Sequence, residues 1–204
     1  MERVTCRRGV DPLPATGLPP GPHACEPVIP PDYRHSFDTG GTCVTIRTMQ
    51  PSDSAIEDRF VRELSPVSRY YRFHGALKAL TPPMLERFTH VNYPDEMALI
   101  ATIPEADAER QIAVARYARF PGTDRAEVAV VVADAWQGQG IGGRLLLDLR
   151  TLAHQAGIRH LQASVLPDNA RMLRLAQTLG FSILPAKPDE GATVELGKGI
   201  DEEE

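Results

Sequence analysis

Long apolar runs are missing from this 204-residue chain, and no stretch approaches the roughly 20 residues that a membrane-spanning helix requires. Cysteine is scarce: Cys6, Cys25 and Cys43 are too few and too scattered for a disulfide framework or a closed zinc site. Metal-ligand spacing is absent as well. His154 and His160 flank a helix–strand junction, His35, His74 and His90 lie far apart, and none sits i, i+4 from another ligand, so no metal is expected. A basic surplus is lacking too, because 22 Lys and Arg against 27 Asp and Glu leave a net charge of −5. That balance argues against a general binder of nucleic acid or of an anionic membrane. Arg3, Arg7 and Arg8 are followed by no apolar segment, so the N-terminus does not read as a secretory signal, and cytoplasmic residence is expected.

What is present divides the chain unevenly. Eight prolines between Pro12 and Pro31 lie among glycine and polar residues with no apolar period. Such a segment neither ladders into a sheet nor continues a helix, so residues 1–40 are expected to form an extended arm that is free or wraps a second subunit. Residues 41–198 carry the patterned sequence, and 199–204 read as an acidic tail ending in Asp201-Glu-Glu-Glu204.

The most informative stretch runs from Val128 to Ala156. Val128-Ala-Val-Val-Val132 has the length and β-branched composition of a buried strand. A polar break follows, then Gly138, Gly140, Gly142 and Gly143, then Arg144 to Ala156 with leucines on one helical face, closing at Gly157. A strand thus feeds a glycine-rich turn that opens a helix. Unpaired N–H groups and the positive end of the helix dipole converge there, a setting for phosphate or pyrophosphate.

Three glycine motifs share that physics. The nucleotide-hydrolase loop requires Gly-Lys-Ser/Thr, and Gly143-Arg144-Leu145 stands instead. The dinucleotide fingerprint G-x-G-x-x-G is formally present at Gly138, Gly140 and Gly143, but Ala133 to Gln137 separate it from its strand. The third pattern, Gln/Arg-x-x-Gly-x-Gly/Ala, is filled by Gln137-Gly138-Gln139-Gly140-Ile141-Gly142. Downstream, Ile158 to Leu166 reads as a strand, Asp168 as a helix cap, and Ala170 to Leu179 as an amphipathic helix ending at Gly180-Phe181.

This succession resembles the GNAT superfamily of acyl-CoA-dependent N-acetyltransferases over roughly residues 42–196. Two further segments, Phe60 to Phe73 and His90 to Ile100, are similar to the acyltransferase domain of bacterial protein-lysine acetyltransferases, although Asn92 stands where those carry Asp. The resemblance implies an α/β fold of the α+β type: a mixed central sheet of six to seven strands with a splayed strand pair and helices on both faces. The remaining pattern fits it. Cys43 to Arg47 reads as a first strand, helices start at Pro51-Ser-Asp53, Ser65-Pro66 and Pro82-Pro83, and Met97–Ile103, Gln111–Arg119 and Ala126–Ala133 form a meander.

The resemblance further implies acetyl-CoA as cosubstrate and no metal. Gln137, Gly138, Gln139, Gly140, Ile141, Gly142 and Gly143 would hold the pyrophosphate. Val130 and Val132 would meet the pantetheine arm through main-chain atoms, and Asn169 through its side chain unless it serves only to cap its helix. Transfer to an amine needs the neutral base. At a reference pKa near 10.4, a lysine at pH 7 supplies it at a cost of roughly 4.6 kcal/mol. Glu127, on the strand entering the glycine turn, is the expected general base; the bland reading is a solvated strand end. Many family members place a tyrosine acid seven residues after the asparagine; that position is Ala176 here. Tyr70, Tyr71 and Phe73 either wall an acceptor channel or pack beneath the sheet. The expected function is N-acetylation of a protein lysine, such as that of an acyl-CoA synthetase, or of a small amine, with a homodimer as one assembly. The alternatives are a non-catalytic acyl-CoA-sensing or interaction module and, from the dinucleotide fingerprint, a nicotinamide-dependent oxidoreductase.

Overall fold

A computed structural model of the chain describes residues 33–106, 108–184 and 193–200. The elements run β1 (Arg34–Thr39), β2 (Thr42–Thr48), α1 (Ser54–Glu63), α2 (Pro66–Phe73), α3 (Pro82–Thr89), β3 (Glu96–Glu105), β4 (Ala108–Arg119), β5 (Arg125–Val132), α4 (Ile141–Gln155), β6 (His160–Val165), α5 (Ala170–Thr178), β7 (Ser182–Ile183) and β8 (Val194–Gly199). They build one sheet of eight strands in the order β1-β2-β3-β4-β5-β6-β8-β7. All neighbours are antiparallel except β5 and β6.

Alternation along the strands sends side chains to two separate cores. Leu99, Ala115, Tyr117 and Val128 pack under α4 and α5, against Ile141, Leu145, Leu149 and Ala176. Ile100, Val114 and Val131 point the other way, onto Phe60, Val61 and Leu64 around α1. Each fully buried leucine of α4 contributes about 1.5–3 kcal/mol, so the helix that carries the glycine turn is firmly seated.

The sheet departs from the expected six to seven strands at its two ends. β7 is a two-residue strand, too short for any periodicity to register. β1 falls inside the stretch read as a proline-rich arm. Gly40 and Gly41 have φ of +58° and +79°, the positive values that a two-residue hairpin turn demands, and they fold β1 back onto β2. β1 is then pinned to α4: His35 Nε2 lies 2.8 Å from Asp148 Oδ2, and the Arg144 guanidinium sits 4.4 Å from the Phe37 ring centroid. At the other end, Gly199 pairs with His160 and Ile200 is 2% exposed, so the fold extends past the expected boundary at 198. The rest of the expected arm, residues 1–32, and the acidic residues 201–204 lie outside the described residues.

Candidate active site

The cleft originates in a strand pairing that stops. β5 and β6 pair only through Arg125↔His160, Ala126↔Leu161 and Glu127↔Gln162. Both strands then continue, to Val132 and Val165, without meeting. β5 remains bonded to β4 throughout, and Ala133 N donates to Ile112 O at 2.8 Å. In an antiparallel ladder, bonded and non-bonded pairs alternate. Val128, Val130 and Val132 therefore turn their peptide groups away from β4, into the opening. The wedge holds a cavity of about 520 Å³, walled by α2 on one side of the sheet and by α4 and α5 on the other.

The glycine turn sits at the wide end of this wedge. Gly138 and Gly140 both have φ of +81°, and Gly140 is the N-cap of α4. None of the N–H groups from Gly138 to Gly143 finds a backbone acceptor among the described residues. Gly142 has a separate purpose. A Cβ there would lie 3.4 Å from Val132 Cγ2 and 3.6 Å from Leu175 Cδ2, ordinary contact distances that leave room for a methyl but for nothing larger between the helix start, β5 and α5. Ile141 is 1% exposed: its side chain belongs to the core and only its N–H faces the turn.

Gln137 and Asp134 lock the turn to α2. Gln137 Nε2 donates to Val132 O at 2.9 Å and to Ser68 Oγ at 3.2 Å, while its carbonyl accepts from Arg171 of α5. Asp134 accepts from Ser65 N, Ser65 Oγ and Ser68 Oγ at 2.7–2.9 Å. Burial works against that carboxylate, but the bonds from Ser65 and Ser68 outweigh it and hold its pKa below the ordinary aspartate value. Gln137 is thus a brace inside the motif, with its side-chain donors already used.

Glu127 stands at the apex of the wedge, at the last residue where β5 and β6 pair. It shares a sheet face with Ala129 and Val131, toward α2, and lines the cleft. It forms no hydrogen bond or ion pair with a described residue. Two carboxylates beside the start of β3 are not placed for the same role. Asp95 is paired with Arg119 at 3.1 Å, and Glu96 lies outside the cleft. Asn169 both lines the cleft and caps α5, accepting from Met172 N at 3.1 Å; it occupies the cap position expected for Asp168. Its capping oxygen is committed, which leaves the amide nitrogen for a ligand.

Two contributors, Ser68 and Arg72, were not legible as site residues. Ser68 and Arg72 share one helical face at i, i+4 spacing, and Tyr71 adds a phenol whose hydroxyl donates to Asp168 O at 3.4 Å, bridging α2 to the start of α5. Of the expected aromatics, Tyr71 and Phe73 line the cleft, whereas Tyr70 is 48% exposed on the outside of α2. Among the described residues, no group of His, Cys, Asp and Glu is placed to hold a metal, and no helix is long and apolar enough to cross a membrane.

This arrangement of a splayed pair, glycine turn and capped helix is matched by the acetyltransferase (GNAT) family profile over residues 66–181, more than half of the chain. The chain belongs to that acetyltransferase family. It is 31% identical over 154 residues to an acetyltransferase of Pseudomonas aeruginosa, covering 76% of this chain and 82% of that protein. The acetyltransferase Pat of Mycolicibacterium smegmatis is 35% identical over 119 residues, 58% of this chain but only 35% of Pat. Among solved structures, the GNAT domain of S. lividans PAT superposes with a TM-score of 0.74 at 30% identity, covering 81% of this chain and 96% of that domain. A Salmonella typhimurium acetyltransferase solved with acetyl-CoA shares the fold, with a TM-score of 0.62 at 21% identity over 79% of this chain and 96% of that one.

Proposed function

We propose that the protein moves an acetyl group from acetyl-CoA to a primary amine, on a protein lysine or a small molecule, by direct attack in a ternary complex. The observation that carries this reading is the pairing of β5 and β6 that ends at Glu127, with β5 peptide groups beyond it that no described strand pairs on that side, Val132 O being taken by Gln137, and N–H groups at the glycine turn that bond no described backbone acceptor. Those two donor sets fit the two halves of acetyl-CoA. The N–H groups of the turn and the α4 dipole suit the pyrophosphate, and the peptide edge of Val130 and Val132 suits an amide-bearing pantetheine chain.

Among the described residues lining the cleft, Glu127 is the carboxylate left for the acceptor, since Asp134 is saturated by Ser65 and Ser68. In this reading it takes a proton from the ammonium, directly or through one water. The freed amine attacks the thioester carbonyl, a β5 peptide N–H near Val132 stabilises the developing oxyanion, and the thiolate departs as the amide forms. No phenol on α5 assists that departure. Ala176 is 1% exposed within the core, and a CoA thiolate is a good enough leaving group to accept its proton from water or from the acceptor.

The buried Ala176 also favours a second reading, an acyl-CoA-sensing module that binds without transfer. A thiol-release assay with acetyl-CoA against amines, peptides and acyl-CoA synthetases separates the two: release with any acceptor supports the transferase, and tight binding without release across the panel supports the sensor. The oxidoreductase alternative does not survive the fold. Five consecutive strands, β1 to β5, are antiparallel where a dinucleotide fold alternates parallel strands with helices.

A further inference from the structure

α2 brings one more charged group to the cleft. Arg72 lines it on the sheet face that Glu127 also occupies, opposite the face covered by α4. Its guanidinium carbon lies 5.2 Å from the Phe73 ring centroid, and it donates no hydrogen bond to a described residue. Neighbouring arginines are all engaged: Arg69 donates to Arg62 O and Leu64 O at 2.8 Å, Arg116 to Phe88 O at 3.0 Å, and Arg171 to Gln137. Nearby carboxylates are no nearer to satisfying it. Glu57 is bonded to Gln111 Nε2 at 2.5 Å, and neither it nor Glu127 comes within ion-pair distance of Arg72. Burial, reinforced by Arg116 and opposed by Glu57 and Glu127, pulls its pKa down to about 10, so Arg72 remains cationic at neutral pH.

Arg72 is part-buried and faces the cavity with no hydrogen-bond partner among the described residues, and its planar fork matches an oxyanion that approaches through that cavity. Ser68, one helical turn earlier on α2, is the residue that meets Gln137 of the glycine turn, whereas Arg72 interacts electrostatically with Arg116, Glu57 and Glu127, which sets it toward the acceptor end of the cleft rather than the phosphate end. We propose that Arg72 anchors a carboxylate on the acceptor, so that the amine delivered to Glu127 belongs to an amino carboxylate. This rests on the acetyl-transfer reading above and narrows its acceptor. The shared chemistry is an amine tethered to a carboxylate, supplied by a free amino acid or by a lysine with an acidic neighbour in its peptide.

The experiment compares matched acceptors with acetyl-CoA: ω-amino acids against n-alkylamines of equal length, and lysyl peptides with Asp against Asn beside the lysine. The carboxylated member should have at least a tenfold higher kcat/KM in one of the two series, through a lower KM. The series with the higher kcat/KM identifies the source. R72Q should bring the ratio close to one, and R72K, which keeps the charge without the fork, should retain part of it; melting curves check that both variants fold. An alkyl carboxylate lacking the amine should compete with the acceptor in the wild type, a readout that needs no variant. Equal rates for both members in the wild type, or a preference that survives in R72Q, would overturn the proposal and leave the transferase reading standing. Failure to acetylate any amine despite acetyl-CoA binding would remove both.

Discussion

At the scale of single residues, the glycine turn and the carboxylates make the sharpest commitments. Gly140 has φ of +81°, and beyond its chain neighbours no atom of a described residue lies within 4 Å of where its Cβ would be, so the space there is open to a ligand. Gly140→Asp adds backbone strain and a negative charge beside the phosphates. It should weaken acetyl-CoA binding at least tenfold, about 1.4 kcal/mol, by calorimetry on the folded variant. Asp134 gives a pH signature. Its folded pKa lies below the ordinary value of 3.8, so the unfolded chain takes up the proton first. The stability it adds is full above that value and is lost as pH falls through the folded pKa. Urea titrations should therefore show wild type more stable than Asp134→Asn at pH 7, with the gap closing toward pH 3. Glu127 and the glycines could be read in the sequence because an acid in an apolar strand and four glycines at a helix start break local pattern. Arg72 could not, because within Ser68-Arg-Tyr-Tyr-Arg-Phe73 nothing separates an arginine facing a cavity from one facing water.

At the scale of elements, the site depends on how closely α4 approaches β5. A Cβ at Gly142 would already be in van der Waals contact with Val132 and Leu175 at the mouth of the wedge, so alanine fits and any larger side chain must displace them. Gly142→Leu should cost about 1–3 kcal/mol through overpacking, and the melting temperature should fall by several degrees. Acetyl-CoA binding should weaken with it, because the same shift displaces the turn; an unchanged melting temperature would contradict this packing. Most elements were legible, since β3, β4, β5, α4 and α5 carry strong periodicity or clear start and stop residues. β1 was not. Its six residues follow a proline-rich stretch, and its place in the sheet is set by the Gly40-Gly41 turn and by contacts to Asp148 and Arg144, more than a hundred positions away. The splay was legible only through the family resemblance. Nothing in the composition of β5 or β6 says that pairing ends at Glu127.

At the scale of the whole molecule, an eight-stranded sheet interrupted once brings three things to one place: a donor-rich turn, a free peptide edge and an unpaired carboxylate. The central claim is that these act together, with Glu127 making the amine nucleophilic. Its most direct measure is the pH dependence of thiol release from acetyl-CoA, for wild type and Glu127→Gln, on an amine acceptor each turns over. The wild-type rate should rise with pH through one ionisation, without the high-pH fall that a tyrosine acid would impose. Near pH 7 the variant should be slower by about a hundredfold or more, with acetyl-CoA affinity little changed, and the deficit should shrink as rising pH supplies neutral amine. Equal rates for the two proteins at pH 7 would contradict the account and take the role of base away from Glu127.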